Sequence, residues 1–227
     1  MLKDELIANN PLGVFKKAAN GNDAPPRMGL VISRPGLGKT AILVQIALDN
    51  MLHDRQVMHI SVGQNIGKTK SWYDDIMADI ATGASQEEIM AVKDEISRNR
   101  MIMTFNAATF NRPKLEERLN DLIQQDIFKP VCLVIDGLDF AKIDRRLLED
   151  MRDMQRASKL SIWFSAVIHR ETPGEIADLD LFDTVLSLDP DDQGDGKIFL
   201  NTIKDSTGCV EEGKIMRLDP TSMVVWG

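Results

Sequence analysis

"MGLVISRPGLGKTAILVQIALDNML", Met28 to Leu52, carries three signals in succession. "MGLVI" is a short apolar run suited to a buried strand, and "TAILVQIALDNML" has the spacing of a helix. Between them "SRPGLGKT", Ser33 to Thr40, nearly fits the phosphate-cradling pattern G-x-x-x-x-G-K-[ST], with serine at the first glycine. Strand, glycine-rich loop and helix in that order make an anion site. Successive backbone N–H groups form a concave turn, and the helix N-terminus adds partial positive charge. Gly36 and Gly38 suit turns and close phosphate approaches that a Cβ would obstruct. Ser33 is tolerable where its position needs no positive φ. The expected phosphate contacts are Ser33, Arg34, Pro35, Gly36, Leu37, Gly38, Lys39, Thr40 and Ala41. Lys39 reaches the terminal phosphates, and Thr40 offers its hydroxyl to Mg²⁺.

The chain around this stretch alternates. "QVMHISVG" (Gln56 to Gly63) reads as a strand, followed by helical patterns in "KSWYDDIMADIA", "SQEEIMAVKDEISRN" and "RPKLEERLNDLIQQ". Ser85 with Glu88 is a capping-box signature. The apolar "MIMTF" between the second and third helices, then "PVCLVID" and "LSIWFSAVI", read as strands, and "DRRLLEDMRDMQRAS" as a helix. "DTVLSLD", "KIFLNTIK" and "GKIMRLD" are short strands separated by Gly and Asp turns, suggesting an antiparallel extension. The expected fold is α/β, a mostly parallel sheet flanked by helices with that extension at its C-terminal end. Residues 1–27, with a helix from Leu12 to Ala19 and the polar turn "NGNDAPPR", read as an N-terminal arm, and 28–227 as one domain.

Composition narrows the class. In 227 residues with a formal net charge of -8 there is no globally basic surface for nucleic acid. No apolar run is long enough to span a bilayer, and the opening "MLKDELIANN" is not a secretory signal. Two isolated cysteines, Cys132 and Cys209, fit a reduced cytoplasm better than a disulfide framework.

Asp136 ends the apolar strand "CLVID", which places a carboxylate at the carboxyl edge of the sheet, where it can hold Mg²⁺ beside Thr40. Gly137 follows it, so no adjacent acid stands ready to activate water. Asp139 is the nearest replacement acid, and His59, inside a strand, reads as packed or partnered. His169 and Arg170 end the "LSIWFSAVI" strand, where a phosphate or a neighbouring subunit is within reach. Mixed charge after the Asp136 strand reads as a solvated helix face, although Lys142 to Arg146 is the one local stretch suited to a phosphate backbone.

"VISRPGLGKTAILVQIALDN" resembles the first motif of RecA-like ring helicases of the DnaB type, including the Arg34-Pro35 pair, and the circadian KaiC ATPases share the same plan. The order of "VMHISVGQ", "RMIMTFNAATF", "LVIDGLDF", "LSIWFSAVIHR", "FDTVLSLDP" and "LNTIKDSTG" is also similar, over about Met28 to Asp219. The resemblance implies a RecA-like P-loop fold that binds ATP and Mg²⁺ and assembles with itself or a protein partner. Departures accompany it. The family's water-orienting glutamate aligns with Gly63, with Gln64 beside it; its polar sensor falls near Ala166; and its lysine-arginine finger pair becomes Lys204, a cation directed at a neighbouring copy, and Ser206. The candidate catalytic set is therefore Lys39, Gln64, Asp139 and Lys204, and the expectation is slow or absent hydrolysis. The alternative is an active DnaB-type motor on nucleic acid.

Overall fold

A computed structural model describes residues 1–16, 23–168, 178–191 and 196–226. Among the described residues nine strands form one sheet: β1 (Met28–Ser33), β2 (Val57–Val62), β3 (Arg100–Phe105), β4 (Cys132–Asp136), β5 (Ser161–Val167), β6 (Thr184–Pro190), β7 (Ile198–Asp205), β8 (Ile215–Leu218) and β9 (Val225–Trp226). Their order across the sheet is β3-β2-β4-β5-β1-β6-β7-β8-β9. From β3 to β6 every pairing is parallel, and β6 to β9 pair antiparallel. The extension thus begins one strand later than the turn spacing suggests, because β6 pairs parallel to β1 along its inner edge. β3, the edge strand, is only half-buried.

Six helices among the described residues cover the two faces: α1 (Leu2–Ala8), α2 (Lys39–Leu52), α3 (Ile66–Ile80), α4 (Gln86–Ser97), α5 (Arg112–Gln124) and α6 (Arg145–Ser158). Alternation along the strands divides the core. Val31, Val134 and Trp163 face α1 to α4, while Leu30, Ile32, Leu133, Ile135 and Phe164 face α5 and α6. Helix α2 is the central element. Eleven of its fourteen residues are buried, so it has no polar face and packs on all sides, against the sheet, α1 and α3. The Ser85–Glu88 capping box forms as the sequence suggests and starts α4.

The N-terminal segment differs from expectation. Leu2–Ala8 is the helix, and Pro11–Lys16 is a 3₁₀ turn where Leu12 to Ala19 reads as a helix. Pro11 removes an amide donor, and the Asn10 side chain accepts the Leu12 N–H at 3.1 Å, so the chain tightens there. Ala19 lies outside the described residues. Leu6, Leu12 and Phe15 are buried in the same core as α2. Arg27, itself buried, donates to the Phe15 carbonyl at 2.6 Å and stands 3.6 Å from Asp205.

Candidate phosphate and metal site

The loop from Ser33 to Gly38 leaves the carboxyl end of β1 and turns into α2. Gly38 precedes the helix with φ 97°, a left-handed conformation that carries a steric cost for any other L-residue. Leu218 Cδ2 and Met223 Sδ stand 3.0 and 3.1 Å from where its Cβ would be, so the loop lies directly on the C-terminal strands. Ser33 is buried and outside the left-handed region, as a serine at this position requires. Arg34, Pro35 and Gly36 are exposed, Leu37 is half-buried, and Ala41 is buried in the first turn of α2. The amides of that first turn have no carbonyl one turn earlier to bond, so they are donors open to an anion.

Lys39 Nζ points back across the loop, donating to Ser33 Oγ at 3.1 Å, the Ser33 carbonyl at 3.3 Å and the Arg34 carbonyl at 3.1 Å. Burial lowers its pKa, and the negative charge of Asp136 pushes the other way. The ammonium is held by neutral oxygens that an anion can replace.

Asp136, 4% exposed, is the hub of a polar cluster. Its Oδ2 accepts the Thr40 hydroxyl at 2.7 Å and the Gln64 side-chain amide at 3.3 Å, and its Oδ1 accepts the Ser165 hydroxyl. These residues come from four elements: the start of α2, the loop after β2, the end of β4 and the interior of β5. One strand, β5, separates β1 from β4, and its Ser165 reaches Asp136 from between them. Gly137 makes room for the cluster. Its φ is 93°, and a Cβ there would stand 2.3 Å from the Val62 carbonyl oxygen and 2.9 Å from Gln64 Nε2.

The donor set suits Mg²⁺. Thr40 gives its proton to Asp136, which leaves the hydroxyl lone pairs for a cation. Among the described residues no group of three or more His, Cys, Asp or Glu is placed to hold a metal ion, so any cation here would be held by hydroxyl, carboxylate, water and phosphate oxygens.

Ala166 is buried on the α5–α6 face and turned away from the cluster, while its neighbour Ser165 is hydrogen-bonded to Asp136. The polar residue that β5 brings to the cluster is therefore Ser165, one residue before Ala166. Period-two alternation carries that signal: Ser165 has the parity of Trp163, and Asp136 that of Val134, both facing α2. At the end of β2, Gln64 reaches Asp136, while Gly63 has φ 67°, a conformation that strains a glutamate placed there.

Other candidates have partners of their own. Asp139 caps the turn that follows, accepting the Ala141 N–H at 3.2 Å, and pairs with Lys142 at 2.8 Å. Lys204 pairs with Val185, level with Leu30 near the start of β1, at the opposite edge of the sheet from Lys39, and its ammonium donates to the Leu179 carbonyl at 3.1 Å. Ser206 donates to the Asp183 carbonyl nearby. In the stretch Lys142 to Arg146, Lys142 is tied to Asp139, and Arg145 to Glu149, Asp178 and Asp180. His59 is buried, 3.0 Å from the Tyr73 hydroxyl, with Nε2 unpartnered and its pKa pressed down to about 4, chiefly by burial. His169 and Arg170 lie outside the described residues. Among those described, Cys132 and Cys209 are free, and no helix is long and apolar enough to cross a membrane.

The chain matches no protein-family model, and no curated protein is significantly similar to it.

Proposed function

We propose that the chain is a RecA-like P-loop protein that binds a nucleoside triphosphate, ATP, with Mg²⁺ and turns it over slowly. The observation that carries this reading is the meeting of Thr40 and Asp136 at 2.7 Å beside Lys39, at the mouth of a glycine loop that opens onto a helix N-terminus. The loop amides hold the phosphates, Lys39 exchanges its carbonyl partners for terminal phosphate oxygens, and Thr40 and Asp136 hold the cation. Bound Mg²⁺ supplies charge neutralisation at the phosphates.

Slow turnover follows from what stands near Asp136. Gln64 is the group placed to orient a water, and its amide is neutral, so it positions the nucleophile without accepting a proton. Lys204, on the far sheet edge, could serve only a neighbouring copy. The ion pairs on Lys142 and Arg145 favour a nucleotide-dependent change in self-association or partner binding over a motor that grips a phosphate backbone. The test is thermal unfolding with and without ATP and Mg²⁺, in wild type and Lys39→Ala. ATP with Mg²⁺ raises the wild-type midpoint and leaves Lys39→Ala nearly unmoved; no wild-type shift with ATP, ADP or GTP removes the nucleotide reading.

A further inference from the structure

A cavity of about 870 Å³ opens at the other end of α2, between α1, the turn joining α3 to α4, and β9. Neither Lys39 nor Asp136 lines it. Its size falls within the roughly 300 to 1,000 Å³ of small-molecule sites. The floor is apolar, from Leu6, Leu48, Leu52 and Val225. The charges are all of one sign: Glu5, Asp49, Asp79 and Glu88 contribute carboxylates, and none of the described lining residues is Lys, Arg or His.

Two of these carboxylates are already engaged. Asp49 is paired with Lys16 at 2.9 Å and accepts from Asn10, and Glu88 is held by Ser85 in the capping box. Glu5 and Asp79 have no side-chain partner among the described residues. Asp79 is half-buried, and its pKa is raised by that burial and then by the charges of Asp75 and Asp219. No described residue of the lining offsets them with the opposite sign. At the rim Trp226 is 57% exposed, a ring face able to receive a cation.

We propose that this cavity is a second ligand site, for an organic cation with an apolar body, its charge set between Asp79 and Glu5 and its body on the floor formed by α1, α2 and β9. The apolar surface supplies affinity, and the unpaired carboxylates supply the choice of charge. The site stands apart from the phosphate loop, so it holds whether or not a nucleotide binds there.

Three probes of one shape and different charge test it: 4-phenylbutylamine, 4-phenylbutan-1-ol and 4-phenylbutyrate, titrated into the full chain and followed by amide NMR. The amine should shift the amides of Ala81 to Ala84 and Val224 to Trp226, and bind about fivefold or more tighter than the alcohol, with the carboxylate weakest. Asp79→Asn, nearly isosteric, should remove most of the amine's advantage while leaving the alcohol unchanged. Glu5→Gln, on a different element, should lower it as well. Equal binding by the three probes, shifts scattered away from these segments, or an amine preference untouched by both substitutions would overturn the proposal.

Discussion

Replacing Asp136 with asparagine separates a structural role for the polar cluster from a cation-holding one. The carboxylate accepts from Thr40, Gln64 and Ser165 while 4% exposed. In Asp136→Asn the remaining carbonyl oxygen can face Thr40 and Gln64, and the new amide faces Ser165, whose hydroxyl can rotate to accept it. All three charge-assisted bonds become neutral ones, a loss of about 1 kcal/mol each. Against this, a buried charge with no ion pair disappears, which returns part of the desolvation cost. The net change in the ligand-free protein is therefore about 1 kcal/mol, a midpoint change of about 2 to 4 °C for a chain of this size. Binding responds differently. At about a hundred times its dissociation constant, ATP with Mg²⁺ adds about 2.7 kcal/mol to a protein that binds it only when folded, or about 5 to 10 °C. In the asparagine variant most of that increment should vanish, while the smaller increment from ATP without Mg²⁺ remains. Differential scanning calorimetry across a magnesium titration reads both quantities. A variant that loses several kcal/mol without ligand yet keeps the whole Mg²⁺-dependent increment would show that Asp136 is an internal anchor and not a cation ligand.

Gln64→Ala should lower phosphate release about tenfold or more with nucleotide affinity unchanged, and Gln64→Glu should raise it once Mg²⁺ is present; equal rates in all three proteins would remove Gln64 from the reaction. Gly137→Ala should cost about 2 kcal/mol or more, since its Cβ meets the Val62 carbonyl, whereas Gly36→Ala, with nothing within 4 Å, carries only the backbone cost of its positive φ; similar urea midpoints for the two would contradict the packing at Gly137. His59, its pKa lowered from 6.5 to about 4, contributes stability that is fully present above about pH 6.5 and is lost as pH falls toward 4, on the order of 3 kcal/mol. His59→Phe should flatten the fall in urea midpoint over that window, and an unchanged pH profile would refute the assignment.

Much of this was legible before the fold was known, and what was not has a physical cause. The apolar run, glycine loop and helical spacing at Met28 to Leu52 place β1 and α2 correctly, because β1 is buried along its whole length and α2 at eleven of its fourteen positions. Thr40 and Asp136 were legible as a pair because one begins α2 and the other ends β4 at the same sheet edge. Gln64 was legible as a candidate, but its contact with Asp136 depends on the left-handed turn at Gly137, a tertiary fact. Ser165 was hidden by a one-residue offset, which reverses the face of every strand residue. The partners of Lys204 and Asp139 were not legible. The antiparallel return of β7 sets Lys204 level with the start of β1, and the turn after β4 engages Asp139 as a cap. The Leu2–Ala8 helix escaped notice because one buried residue, Leu6, leaves almost no periodicity to read.

Isothermal titration of ATP in the presence of Mg²⁺, into wild type and Lys39→Ala, tests the phosphate site most directly. Among the described residues the hydrogen bonds of the Lys39 ammonium go to loop oxygens of Ser33 and Arg34, so its removal should leave the fold and the ligand-free unfolding midpoint nearly unchanged. The expected result is saturable binding at one site per chain in wild type, weakened at least tenfold in Lys39→Ala. Equal binding by the two proteins, or no binding heat from a folded wild type, would contradict the assignment of this loop to phosphate.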